Sequence, residues 1–157
     1  MREGADTLVQ REAIRELVVS SGRLLDKGRF EDFVGLFAAN ARYSMEAQTP
    51  DIQRNVVWLE CNQTELAKLF IDMPLHVRDE ASRMHLISVD SVRVRQERAE
   101  AHSSFVVFRI NIDGVAKVYA IGTYEDELAL IEGDWKLTRR AVRLDNRRLA
   151  SATPLPL

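Results

Sequence analysis

The chain has 157 residues, a formal charge of −2 and a single cysteine. That length suits one domain, residues 1–157, able to bury a core without disulfides or metal staples. The near-neutral charge gives no electrostatic reason to bind nucleic acid or anionic lipid. No apolar run nears the ~20 residues that a membrane span needs, and MREGADTLVQRE has no signal-peptide core, so a cytoplasmic protein is expected. Cys61 cannot form an intramolecular disulfide or build a thiolate cluster alone; it reads as a plain buried thiol, with a reactive thiol as the alternative.

Helical signals come first and strand signals follow, an α+β order. Thr7 and Gln10 have capping-box spacing, which predicts a first helix from about Thr7 to a stop at Gly28. Its apolar face is Ile14, Leu17, Val18, Leu24 and Leu25, with Ser21 among them. A short second helix carries Phe30, Phe33, Val34 and Phe37 on one face. Tyr43, Met45 and Ala47 then alternate with Arg42, Ser44 and Glu46, a half-buried strand over Ala41–Ala47. Gln48–Leu59 is unassigned: Pro50 suggests a loop, and Val56, Val57 and Trp58 a return to the core. Asn62 and Glu65 cap a third helix with Leu66, Leu69, Phe70 and Met73 on one face, ending at Pro74.

From Ser82 onward the pattern is strands. Ile87 and Val89 share one parity, Val92 and Val94 the other, so a bulge is expected at Asp90–Ser91. Ser104, Val106, Phe108, Ile110 and Ile112 alternate as one face of the next strand, and His102 shares their parity, which turns it toward the core. Asp113-Gly114 predicts a hairpin with positive φ at both residues. A long strand runs from Val115 to about Ile131; Tyr119 and Tyr124 have opposite parity on it and should face different sides. Glu132-Gly133-Asp134 turns the chain into a last strand over Trp135–Asp145. Three helices should therefore cover one face of a curved, mostly antiparallel sheet.

The aromatic set Phe30, Phe33, Phe37, Tyr43, Phe70 and Trp135 sits at helix or strand spacing and reads as core rather than a base-stacking platform. The main charge run is Arg139, Arg140, Arg143, Arg147 and Arg148. Guanidinium groups bind carboxylates bidentately across interfaces, so a docking surface is one reading, and a solvated strand face the other. Asp145 is placed to pair locally with one of them.

Three segments resemble a known family. RLLDKGRFEDFVGLFAANARY (Arg23–Tyr43) resembles the opening of NTF2-like domains, including SnoaL-like and scytalone-dehydratase-like enzymes. SRMHLISVDSVRV (Ser82–Val94) and GDWKLTRRAVRLDNRRL (Gly133–Leu149), with the apolar end Leu155-Pro156-Leu157, resemble the beta subunits of ring-hydroxylating dioxygenases, nearest to the terephthalate or benzoate type. The resemblance implies an NTF2-like cone and a non-catalytic role supporting alpha subunits, as a homotrimer or a mixed alpha–beta hexamer. It also implies that the alpha subunit carries a Rieske cluster and a mononuclear iron. The arginine run with Leu155 and Leu157 is then the candidate subunit interface.

No cofactor or metal is expected in this chain. A Rieske cluster needs two cysteines and two histidines, and His76, His85 and His102 lack the spacing that would pair them on one helix face. The alternative implied by resemblance is a stand-alone enzyme or ligand-binding protein. In scytalone-dehydratase-like enzymes, groups at the positions of Asp26, His85 and His102 face the cone and could move a proton. The bland reading makes Asp26 and His85 a satisfied core pair.

Overall fold

The computed structural model describes residues 2–49, 54–76, 80–145 and 156–157. Helices α1 (Arg2–Asp26), α2 (Phe30–Val34) and α3 (Gln63–His76) pack on a sheet of strands β1 (Phe37–Thr49), β2 (Arg54–Asn62), β3 (Ser82–Arg95), β4 (Arg98–Ile110), β5 (Ala116–Ile131) and β6 (Asp134–Leu144). The strand order is β2-β1-β6-β5-β4-β3. Only β1 and β6 run parallel; the other neighbours are antiparallel. This is the expected α+β arrangement of three helices over one face.

Every strand pair contains a register shift. Each bulge bends its strand and raises the local twist, so the sheet curls around the helices into a cone. The slip anticipated at Asp90 is present between Val89 and Ser91. A second bulge, at Tyr119 opposite Val107 and Phe108, changes which side β5 turns inward. Tyr119 and Tyr124 are therefore both buried despite their opposite parity. The Arg83 guanidinium lies 4.6 Å over the Tyr119 ring.

Local capping chemistry behaves as the sequence predicts at α3. The Asn62 N–H donates to Glu65 Oε2 (2.8 Å) and the Glu65 N–H donates to Asn62 Oδ1 (2.9 Å), a reciprocal capping box. At α1 the expectation fails. The helix begins at Arg2, so Thr7 is inside it. Pro74 sits in the last turn of α3 rather than after it, where its missing N–H removes one bond. Glu132 and Gly133 adopt positive φ in the β5–β6 hairpin. In the β4–β5 turn only Gly114 does; Asp113 is not left-handed, because the loop is a longer one closed by Asn111 N–H to the Val115 carbonyl and Gly114 N–H to the Asn111 carbonyl.

Two faces were misassigned. On β4 the buried residues are Ala99, Ala101, Ser103, Phe105 and Val107, the opposite parity to that predicted, and Ile112 is exposed. Both faces of this strand carry apolar residues, so alternation alone could not orient it. Val56, Val57 and Trp58 do not return to the core; they lie exposed on edge strand β2. The aromatic residues do form core, with Phe30 stacked on Phe70 (4.5 Å between centroids) and Phe33 edge-on to Phe37 (5.3 Å).

Candidate functional site

The interior of the cone is unusually polar. α1 ends at Asp26, directly above β3, because Gly22 lets helix and strand approach closely. A Cβ there would sit 2.7 Å from Ile87 Cδ1 and 2.8 Å from His85 Cβ. Asp26 then binds His85 twice: the His85 main-chain N–H donates to Oδ2 (2.8 Å), and ring Nδ1 lies 2.5 Å from Oδ1. The His85 side chain is almost wholly buried and that of Asp26 partly so. A carboxylate at Nδ1 orients the imidazole and directs its other nitrogen elsewhere. His85 Nε2 is buried without a hydrogen-bond partner, as are Ser103 Oγ and the Tyr124 hydroxyl.

His102 does not join this pair. It is exposed on the outer face of β4, the consequence of the strand's true parity. Of the three residues in the enzyme reading, the fold brings together Asp26 and His85 only. His76 lies in the last turn of α3. Among the described residues, no three His, Cys, Asp or Glu side chains come together as a metal-ligand set. Cys61 is buried, and burial, with Glu65 and Glu60 beside it, pushes its thiol up to about 11.

The arginine run divides. Arg140 is not on a docking surface: it is completely buried, with Nε and Nη2 donating to the two carboxylate oxygens of Asp126 at 2.8 Å each, and Nη1 donating to Ser21 Oγ at 2.8 Å. Its guanidinium also lies 4.3 Å over the Tyr124 ring. Burial alone would lower its proton affinity; the Asp126 charge and hydrogen bonds outweigh that and hold it above the ordinary arginine value. Arg139 and Arg143 are half-exposed and paired across strands, Arg139 with Glu127, and Arg143 with Glu125 and Glu46. These cross-strand carboxylates take the place expected for Asp145. Arg147, Arg148 and Leu155 lie outside the described residues.

Leu157 is not on a surface either. It is 1 % exposed, inside the core. Its main-chain N–H donates to the Tyr43 hydroxyl, which in turn donates to the Leu157 main-chain oxygen, both at 2.9 Å. Sequence reading missed Ser21 and Asp126 as polar interior groups. Ser21 on an apolar helix stripe, and Asp126 in phase with Tyr124 and Leu128 on β5, were the available signals.

A SnoaL-like domain model matches residues 6–141. The methanesulfonate monooxygenase hydroxylase subunit beta of Methylosulfonomonas methylovora is 27 % identical, with 93 % of this chain and 86 % of that protein covered. The 2-aminobenzenesulfonate 2,3-dioxygenase subunit beta of an Alcaligenes species is 23 % identical, covering 92 % of this chain and 97 % of that protein. A beta subunit assigned to an aromatic-ring-hydroxylating dioxygenase of Novosphingobium aromaticivorans superposes with a TM-score of 0.81 at 25 % identity, covering 92 % of this chain and 94 % of that one.

Proposed function

The chain belongs to the SnoaL-like domain family, and from that premise we propose that it is the non-catalytic beta subunit of a multi-subunit oxygenase. The observation that carries this reading is the end-to-end similarity to oxygenase beta subunits, in sequence and in fold. The interior supports it. A reaction at Asp26 and His85 needs a substrate to reach His85, whose side chain is 2 % exposed.

The outer face of the sheet supports it as well. Met84, Phe108 and Val118 form one cross-strand row on β3, β4 and β5, and Leu86, Val106 and Ile121 the adjoining row. Met84, Leu86, Val118 and Ile121 are exposed and Val106 and Phe108 half-exposed. A contiguous apolar patch with a polar rim is the anatomy of a protein interface. Arg139 and Arg143, already paired with carboxylates, sit on the charged part of the same face. In this reading the patch, rather than Arg140 or Leu157, is the center of the interface, and the chain assembles as a homotrimer or a mixed hexamer with a larger alpha subunit.

The oxidative chemistry then belongs to the alpha subunit, which would hold the Rieske cluster and mononuclear iron. This chain's one cysteine cannot supply the two that a Rieske cluster requires. Both curated relatives act on a sulfonate, one aliphatic and one aromatic, so a sulfonated compound is the substrate class we assign to the assembly. The test is coexpression with a Rieske-type alpha subunit from the same genome, followed by light scattering and oxygen-consumption assays on methanesulfonate, aminobenzenesulfonate and unsulfonated aromatics. A stable complex that turns over sulfonates is expected. A chain that stays monomeric with that partner present would overturn the reading.

A further inference from the structure

We propose that the cone contains a receptor site for an N-acylated leucyl unit, centered on the Tyr43 hydroxyl, and that the resident ligand is the chain's own Leu157. The site does not depend on the subunit reading, because it is built within one chain. Leu157 reaches the core from 114 residues away in sequence from Tyr43, so its burial is not a by-product of a neighboring element. A single side-chain oxygen satisfies both of its main-chain groups, accepting from the N–H and donating to the oxygen. Only a neutral phenol can do both. Burial, reinforced by Tyr124, holds the Tyr43 proton on, against smaller opposing effects of Leu157 and Arg140.

The surroundings define what the site takes. Tyr43 is flanked edge-on by Phe37, at 6.1 Å between ring centroids, and Leu157 lies in the same continuous apolar core. The favored ligand is therefore a branched aliphatic group of about four carbons carried on an N-acylated unit, which brings one N–H donor and one carbonyl or carboxylate oxygen as acceptor. A bulky aromatic ligand would overfill a closely packed core. While Leu157 is seated, its place in the cone is closed to external molecules of this class.

The experiment removes the resident ligand and supplies it in trans. A chain stopped after Leu155 is expected to melt roughly 5–15 °C below the full chain, the range for emptying a buried leucine site in a protein of this size. Acetyl-prolyl-leucine at millimolar concentration should raise that melting temperature saturably, and acetyl-prolyl-alanine should do so much less. The full chain should respond to neither. Tyr43→Phe in the shortened chain should weaken the leucyl peptide by roughly tenfold or more, through two lost hydrogen bonds. Should the shortened chain fail to fold, Leu157→Ala in the full chain, which keeps both main-chain bonds to Tyr43 and vacates only the side-chain space, carries the comparison for the aliphatic part of the site, with 2-methylpropane as the probe. Stabilization of that variant but not of the unmodified chain supports the site. An unchanged melting temperature on shortening, or no stabilization of either altered chain by its probe, overturns it.

Discussion

The buried Arg140–Asp126 pair makes the sharpest prediction about stability. Both side chains are fully inaccessible, and their two hydrogen bonds are 2.8 Å long. Asp126→Asn leaves a buried guanidinium without its countercharge. Breaking such a pair from one side costs about 3–5 kcal/mol, because the remaining charge cannot return to water. At about 2–4 °C per kcal/mol for a chain of this length, melting should fall by roughly 6–20 °C. Arg140→Met strands the carboxylate instead. The double variant Asp126→Asn/Arg140→Met should lose less than the sum of the singles, since each change removes the reason the other is harmful. Thermal denaturation followed by circular dichroism measures all three. Single variants within about 2 °C of the parent, or strictly additive losses, would refute the reasoning. A surface docking role for Arg140 would instead spare stability and weaken assembly.

Four further outcomes follow from the same geometry. Asp26→Ala should cost about 1–3 kcal/mol by leaving the His85 N–H and ring nitrogen unbonded, with Asp26→Asn milder; turnover per assembled complex should be preserved, and its loss in a stable Asp26→Asn protein would restore the enzyme reading. Leu86→Asp combined with Ile121→Asp should leave the melting temperature of the isolated chain within about 2 °C while abolishing association in light scattering, because both residues face outward on the sheet. Alkylation of Cys61 by iodoacetamide should be slow at pH 8, where a thiol titrating near 11 is only about one part in a thousand thiolate, and should speed up about tenfold per pH unit until that value is reached. Tyr43 and Tyr124 both have proton affinities raised above the ordinary phenol value of 10.0, chiefly by burial. The folded chain therefore keeps protons that the unfolded chain releases. Their contribution is intact below about pH 10 and is lost as the pH rises beyond it; Tyr43→Phe with Tyr124→Phe should flatten that alkaline decline in denaturant midpoints.

What the sequence disclosed follows the range of the interactions. The capping box at Asn62 and Glu65, the slip at Asp90 and the tight turn at Glu132-Gly133 are decided by residues a few positions apart, and each is where the pattern puts it. The face of β4 was not legible, because Val106 and Phe108 on one side are as apolar as Phe105 and Val107 on the other. Choosing between them needs the position of α1. The Asp26–His85 pair was visible through family resemblance, yet the same resemblance misplaced His102, whose orientation depends on that unresolved parity. Arg140 read as surface because it stands among arginines. Its partners, Asp126 and Ser21, are 14 and 119 residues away, and no local pattern signals them. Leu157 failed as an interface residue for the same reason: its partner is on β1.

These long-range polar contacts explain why the cone retains groups that would be less costly as hydrocarbon. Apolar burial is non-directional, so Ile14 and Val18 alone would hold α1 against the sheet without fixing its position along it. Three polar contacts do fix it. The Arg15 guanidinium donates to the Val89 carbonyl (2.8 Å), Ser21 receives Arg140, and Asp26 grips His85 by main chain and ring. Arg15 and Asp26 are about three turns apart and so share one face of the helix, with Ser21 between them. Sliding the helix by one residue would break all three contacts, leaving Arg140 Nη1 and the His85 main-chain N–H without their α1 partners. The contact at Val89 falls beside the β3 bulge, and those at Arg140 and His85 fall on the strands that carry the curvature. Fixing α1 therefore fixes how far the sheet bends, and the bend sets the spacing of the Met84 and Leu86 rows on the outside. A subunit that serves by presenting that outer surface to others needs its interior rigid more than it needs it reactive.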